Sequence, residues 1–224
     1  MREIKKTEPL HSQVYTIVKE MILEGKYQPG ERLVETKVAE FIGVSRGTVR
    51  EAFRMLTKDD MLVQDGNVLL VYNPTTQDIL DIYECRKSLE SLSAKLAATN
   101  ITEEQLNELE HIIHESKEAL NKNDKKKLTL LNQQFHDIIA CASLNKQLIK
   151  LFEVIKTKVL YIRNCILKEH TDSFPDLVDD HIQIYFALKN RNPLKTEEKM
   201  GEHIQRSLKV AHSALNEQMD LKDK

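Results

Sequence analysis

Three arginines, Arg46, Arg50 and Arg54, stand at i, i+4 and i+8 in residues 44–54 (VSRGTVREAFR). On a helix that spacing places them on one face, and the planar fork of arginine matches either the O6/N7 edge of guanine or a phosphate. The chemistry on offer is nucleic-acid recognition, set against a solvated arginine face on an ordinary helical hairpin. A second group could hold a metal. Asn132 and His136 are four apart in LNQQFHDII and so share a helix face, while His181 (DDHIQIYFAL) and His203 (EHIQRSL) each sit beside apolar residues at helical spacing. Three imidazoles and an amide from separate helices can converge in the centre of a bundle and bind a divalent cation. Spacing alone leaves this open, because separated histidines are more often core or surface residues than ligands. His111, His114, His170 and His212 lie among charges or at helix ends and read as solvated.

The elements that must position the arginines follow from residues 32–54. This stretch reads as a short helix, a sharp turn at Gly43 and a second helix carrying the arginine row. Ala39 offers a small contact residue and Val49 an aliphatic anchor, as two helices crossing steeply require. Beyond it, the apolar runs 61–63 and 68–71 flank Asp65-Gly66-Asn67, which predicts a two-stranded ribbon with Gly66 at its tip. Without a side chain, Gly66 could approach a sugar-phosphate backbone closely. Upstream, Val14, Ile17, Val18, Met21 and Ile22 fall at helical spacing, Gly25 supplies a stop, and Tyr27-Gln28-Pro29-Gly30 reads as a turn. Residues 1–74 are therefore predicted to form a winged helix-turn-helix domain.

From residue 75 the pattern changes to long amphipathic helices, predicted near 75–99, 102–121, 124–142, 144–168, 176–190 and 194–218. Thr102 and Gln105 have the spacing of a capping box, and Pro175 and Pro193 sit where a first helical turn tolerates proline. Six helices without a sheet make an all-α bundle over 75–224, so the chain as a whole is mostly α. The boundary near Asn73 to Thr76 is short, which favours mechanical communication between the domains.

Composition constrains less. The chain carries 33 Lys+Arg against 35 Asp+Glu, and residues 1–75 balance at 11 of each. A DNA binder without bulk positive charge depends on local clustering and on dimerisation. No apolar run approaches the roughly 18 residues of a membrane span, and no apolar signal core follows the N-terminus. Cys85, Cys141 and Cys165 are scattered and odd in number, which fits reduced thiols in a cytoplasmic protein that act as small buried hydrophobes.

Two passages carry a resemblance. GKYQPGERL (Gly25 to Leu33) and VSRGTVREA (Val44 to Ala52), in the order helix, turn, helix, wing, resemble the GntR superfamily of bacterial transcription regulators. The resemblance implies that Arg32, Arg46 and Arg50 contact DNA, with Ser45 and Thr48 beside them and Gly66 at the wing tip. Where relatives commonly have Thr-Pro between arginine and valine, this chain has Gly47-Thr48, which removes a stiff first-turn residue. The C-terminal region is similar to the FCD ligand-binding domain of FadR-type members, in its six-helix, VanR-like form. The features in common are Arg86 and Glu90, Asn132 to His136 (N-x-x-F-H), His181 to Ile184 (H-x-x-I) and Met200 to His203 (M-x-x-H).

That resemblance implies a divalent metal, Zn²⁺ or Ni²⁺, on Asn132, His136, His181 and His203. Asn132 stands where relatives have Asp, so the set carries one fewer charge. It further implies a small-molecule effector, a carboxylate anchored by the metal and by Arg86, and a homodimer on double-stranded DNA with a palindromic operator, without a membrane partner. The expected function is a transcription regulator, repression released by effector being the commoner outcome among similar proteins. Two alternatives stand beside it. The bundle could be a dimerisation module with core histidines, or the histidines could form a hydrolytic metal centre, although no H-E-x-x-H pairing is present.

Overall fold

The computed structural model describes residues 8–166 and 174–222. These form two compact units, Met1–Thr75 and Thr76–Lys224.

The first unit begins with α1 (Leu10–Leu23), whose residues Val14, Val18 and Ile22 recur every fourth position and are buried. Ile17, on the flank of that row, is left 39% exposed. α1 packs on α3 (Arg46–Lys58), which turns Val49, Ala52, Phe53 and Leu56 inward and its three arginines to solvent. Between them lies α2 (Glu35–Ile42), which ends at Gly43 with φ +79°, its N–H donated to the Ala39 carbonyl. That left-handed residue redirects the chain, and Ser45 caps α3 by accepting from the Thr48 N–H at 3.2 Å.

The wing has three strands, β1 (Arg32–Leu33), β2 (Leu62–Asp65) and β3 (Val68–Val71), antiparallel in the order β1-β3-β2. Asp65 opposes Val68, so Gly66 and Asn67 form a two-residue turn with Gly66 at φ +56°. The predicted ribbon forms as β2 and β3 with Gly66 in its turn, and it gains a third strand, β1. One expectation is corrected here: Arg32-Leu33 does not open the first helix of the hairpin, which starts at Glu35. The reason is an unpaired strand edge: after the Pro-Gly turn the chain runs beside β3, pairing Arg32 with Leu70 and Leu33 with Leu69. That pairing also buries Leu33.

The second unit has six helices among the described residues: α4 (Thr76–Asn100), α5 (Glu103–Asn121), α6 (Lys125–Ala142), α7 (Lys146–Ile166), α8 (Phe174–Lys189) and α9 (Pro193–Lys222). The capping box forms as its spacing predicts, with Gln105 N–H to Thr102 Oγ1 at 3.2 Å and Thr102 N–H to Gln105 Oε1 at 3.1 Å. α4 is the central element, packed against α6, α7, α8 and α9. Its fully buried Ala94, Ala97 and Ala98 let a neighbouring helix approach closely. Polar residues lie among this apolar core: Arg86 and Glu90 on α4, His136 on α6, Asp180 and His181 on α8, His203 on α9.

The cysteines depart from expectation, since Cys85 and Cys141 are free and exposed. Each precedes a buried position, Arg86 and Ala142, and the helical step of one residue turns it outward. The side chain of Cys165 and His170 lie outside the described residues. His111 and His114 are exposed as expected. No helix among the described residues is long and apolar enough to cross a membrane.

Gly43 gives a direct test of the hairpin. Its surroundings would accommodate a methyl group, so Gly43→Ala should cost only the left-handed backbone conformation, about 1–2 kcal/mol. Denaturant unfolding of the full chain checks this. A loss of the same size is not expected at Gly47, which lies inside α3 without a positive φ.

Candidate nucleic-acid interface and candidate metal centre

On the first unit the arginine row is exposed but not free. Glu35, the first residue of α2, reaches across the hairpin to both Arg46 and Arg50. Its Oε2 accepts from Arg46 Nε at 2.8 Å, and Arg50 donates to Oε1 through Nε at 3.0 Å and to Oε2 through Nη2 at 2.9 Å. These hydrogen bonds, from Arg50 first and Arg46 second, hold the Glu35 carboxyl down to about 2. Arg54 pairs instead with Glu51 at 2.6 Å. The Arg46 and Arg50 side chains remain 61% and 46% exposed, so phosphates or base edges can compete for them.

The remaining candidates in this unit keep accessible positions. Arg32 is exposed on β1, Ser45 is exposed at the start of α3, and Gly66 is exposed at the wing turn. The Thr48 hydroxyl is engaged with Ser45 Oγ at 2.8 Å. Glu35 was not singled out by sequence. It lies eleven residues from Arg46, and only the crossing of α2 and α3 brings the two together.

In the second unit the three histidines converge. One ring nitrogen from each of His136, His181 and His203 lies within 4.8 Å of the others, and all three residues are buried. A carboxylate stands behind two of them. Glu90 Oε2 meets His136 Nδ1, and Asp180 Oδ2 lies 3.2 Å from His203 Nδ1. An anionic oxygen favours a proton on the nitrogen it faces, and with N–H at Nδ1 each ring would keep a lone pair at Nε2. Those two Nε2 atoms face each other at 3.2 Å. His181 stacks on Phe135, centroids 3.9 Å apart, and its buried Nε2 has no hydrogen-bond partner among the described residues.

Burial keeps this cluster neutral. Burial pushes the His136, His181 and His203 imidazoliums down, to about 4 for His203 despite Asp180. Burial would raise Glu90, but Arg86 and His136 outweigh it and hold the carboxyl well below the usual range. Asp180, likewise lowered against burial, accepts from His203 and from Arg206 Nε at 2.8 Å.

Converging neutral imidazoles with facing lone pairs are the donor set of a divalent cation. Nitrogen ligands at about 2.0–2.1 Å from one ion are separated by roughly 3.0–3.4 Å, and the observed 3.2 Å falls in that span. The residues present therefore fit a metal.

Asn132, one turn before His136, is placed differently. Its amide is satisfied with the oxygen toward α7, accepting from Arg163 Nη1 at 2.7 Å and Nη2 at 3.1 Å. Arg86 donates through Nε to Glu90 Oε1 at 2.6 Å and lies over the Tyr83 ring, while its Nη1 has no hydrogen-bond partner among the described residues. Arg86, Glu90, His136, Lys156 and Arg163 line one crevice, whose volume of ≈ 10 Å³ admits about one water. Asp180, Arg163 and Arg206 were missed by sequence. Asp180 adjoins His181 but serves His203, which lies on another helix.

Comparison with known proteins gives the context for both sites. Residues 10–68 match "Bacterial regulatory proteins, gntR family" and residues 81–206 match the FCD domain. The chain belongs to the gntR family and carries an FCD domain. It is a DNA-binding transcriptional regulator, as its curated relatives are, and not an enzyme. The uncharacterized HTH-type regulator YdhC of Bacillus subtilis is 33% identical over 193 residues, 85% of each chain. The HTH-type transcriptional repressor RspR of Escherichia coli is 26% identical over 204 residues, 91% of this chain and 89% of that one. Among solved structures, E. coli McbR/YncC superposes with a TM-score of 0.78 at 22% identity, covering 92% of this chain and 99% of that one. At that identity the likeness is one of fold.

For this regulator, Arg50→Ala is expected to weaken binding to a DNA site selected in vitro by about 1–3 kcal/mol where the guanidinium reads a guanine edge. Equal loss on selected and random DNA would assign Arg50 to phosphate instead. Glu35→Gln leaves the arginines their charge but removes the carboxylate that competes for them. It is expected to raise affinity for random DNA and steepen its salt dependence, read by titration in two salt concentrations.

Proposed function

We propose that the chain is a homodimeric, metal-dependent metabolite sensor that controls transcription in the cytoplasm, acting as a repressor released by its effector. Two copies related by a two-fold axis set their α3 helices on a short palindrome, with Arg46 and Arg50 as readers and Arg32, Ser45, Thr48 and Gly66 as supporting contacts. His136, His181 and His203 hold a divalent cation of the Zn²⁺ or Ni²⁺ kind, and Asn132 borders it with its oxygen toward Arg163. Such a cation supplies open coordination positions that a carboxylate can fill. Glu90 and Asp180 orient two of the imidazoles, and Arg86 offers its unpaired Nη1 to the ligand.

The observation that carries this reading is the convergence of three buried imidazole nitrogens, with the His136 and His203 Nε2 atoms 3.2 Å apart. A dimerisation module with core histidines leaves the buried His181 Nε2 without a partner among the described residues. Regulation then requires that the effector bind one DNA-affinity state more tightly than the other, and its effect is limited to that difference.

One divalent ion per chain is expected by elemental analysis, lost or greatly weakened in His181→Ala and His203→Ala while the helical content persists. The bundle should survive because apolar helix faces carry most of its stability. The metal-free variants should still bind DNA but lose the response to added carboxylates. A metal-free wild type with an undiminished carboxylate-induced melting shift would remove the metal from the sensor.

A further inference from the structure

The crevice beside the histidines holds a cation that has no ion pair among the described residues. Arg86 there has Glu90 at 2.6 Å, and Lys156 has Asp137 at 2.8 Å. Arg163, among the described residues, has no carboxylate. Its hydrogen-bond partner is the neutral amide of Asn132, at 2.7 and 3.1 Å. We infer that the ligand of this unit is a small acid with two anionic groups, the second of which is taken by Arg163. This rests on the metal-and-carboxylate reading and narrows it.

Three observations support the assignment. First, the half-buried Arg163 guanidinium has, among the described residues, no ion pair and only the Asn132 amide as a partner. An incoming anion would supply a counter-charge, and a planar guanidinium can take a carboxylate or phosphate through two parallel hydrogen bonds. Second, Arg163 and His136 line the same crevice, so one short ligand can meet both. Third, Phe152, Ile155 and Val159 of α7 line the same crevice as Arg163 and His136, an apolar wall for a methylene spacer.

The crevice now admits only about one water, at ≈ 10 Å³, and α7 supplies most of its lining. Ligand entry must therefore widen the crevice, which favours a small ligand. A monocarboxylate would satisfy the metal and leave Arg163 uncompensated. A neutral spacer with one acid should thus bind less well than its diacid counterpart.

The test uses the full-length, metal-loaded chain and isothermal titration with succinate, 2-phosphoglycolate and butyrate. Wild type is expected to bind at least one of the two diacids tenfold or more tighter than butyrate; which one separates a second carboxylate from a phosphate. Arg163→Gln should reduce the diacid to the level of butyrate while butyrate itself is unchanged. Arg163→Met, which keeps an apolar stem of similar reach without the charge, should reduce the preference in the same way and serves if Arg163→Gln fails to fold. Equal binding of butyrate and both diacids by wild type, or a preference that survives in the variants, would overturn the inference and leave the metal site standing. A chain that takes up no metal, or that loads metal and binds none of the three acids, would overturn the metal-and-carboxylate reading as well.

Discussion

Two buried carboxylates set the terms for the helical unit. Burying Glu90 and Asp180 is unfavourable unless each is met by cations or hydrogen-bond donors. Glu90 finds Arg86 one turn earlier on α4 and His136 across on α6; Asp180 finds His203 and Arg206 on α9. These contacts do more than satisfy the acids. By fixing the proton on each Nδ1 they direct both Nε2 lone pairs to one point, and they lock the rotation of four helices relative to each other. A slip of any of these helices by one residue would strand a charge in the core.

The DNA-binding unit uses the same pairing in a different dielectric. Glu35 joins Arg46 and Arg50 as Glu90 joins Arg86 and His136, but the arginines are about half exposed. At the surface such an ion pair is worth little and exchanges readily. In the core it is nearly permanent. One arrangement is thus suited to a cation that must be given up to a partner, the other to ligands that must stay in place. Arg163 belongs to neither set: it is half-buried and, among the described residues, is met by the Asn132 amide rather than by a carboxylate.

The departures from local expectation share a cause. Arg32-Leu33 has no helix-breaking signature of its own, yet it becomes a strand because β3 offers an edge. Asn132 has the spacing of a ligand beside His136, yet its oxygen faces Arg163, which is thirty-one residues away and on another helix. Cys85 and Cys141 look like core residues by type, but one helical step turns each away from the buried row. In each case the deciding partner lies on a different element.

What the sequence determined by itself was whatever near neighbours encode. Periodicity gave the helices, the spacing of Val14, Val18 and Ile22 gave the buried face of α1, Gly43 and Asp65-Gly66 gave the turns, and Thr102 with Gln105 gave a cap. The family's motifs added the arginines and histidines as candidates. Tertiary structure alone decided which of these meet: Glu35 with two arginines, Asp180 with His203, and Arg163 with Asn132. The physical reason is that helical repeats fix a side chain's direction only around its own axis. Contacts between axes depend on their rotation and offset, which are set by the packing of the whole apolar core and the need to pair every buried charge.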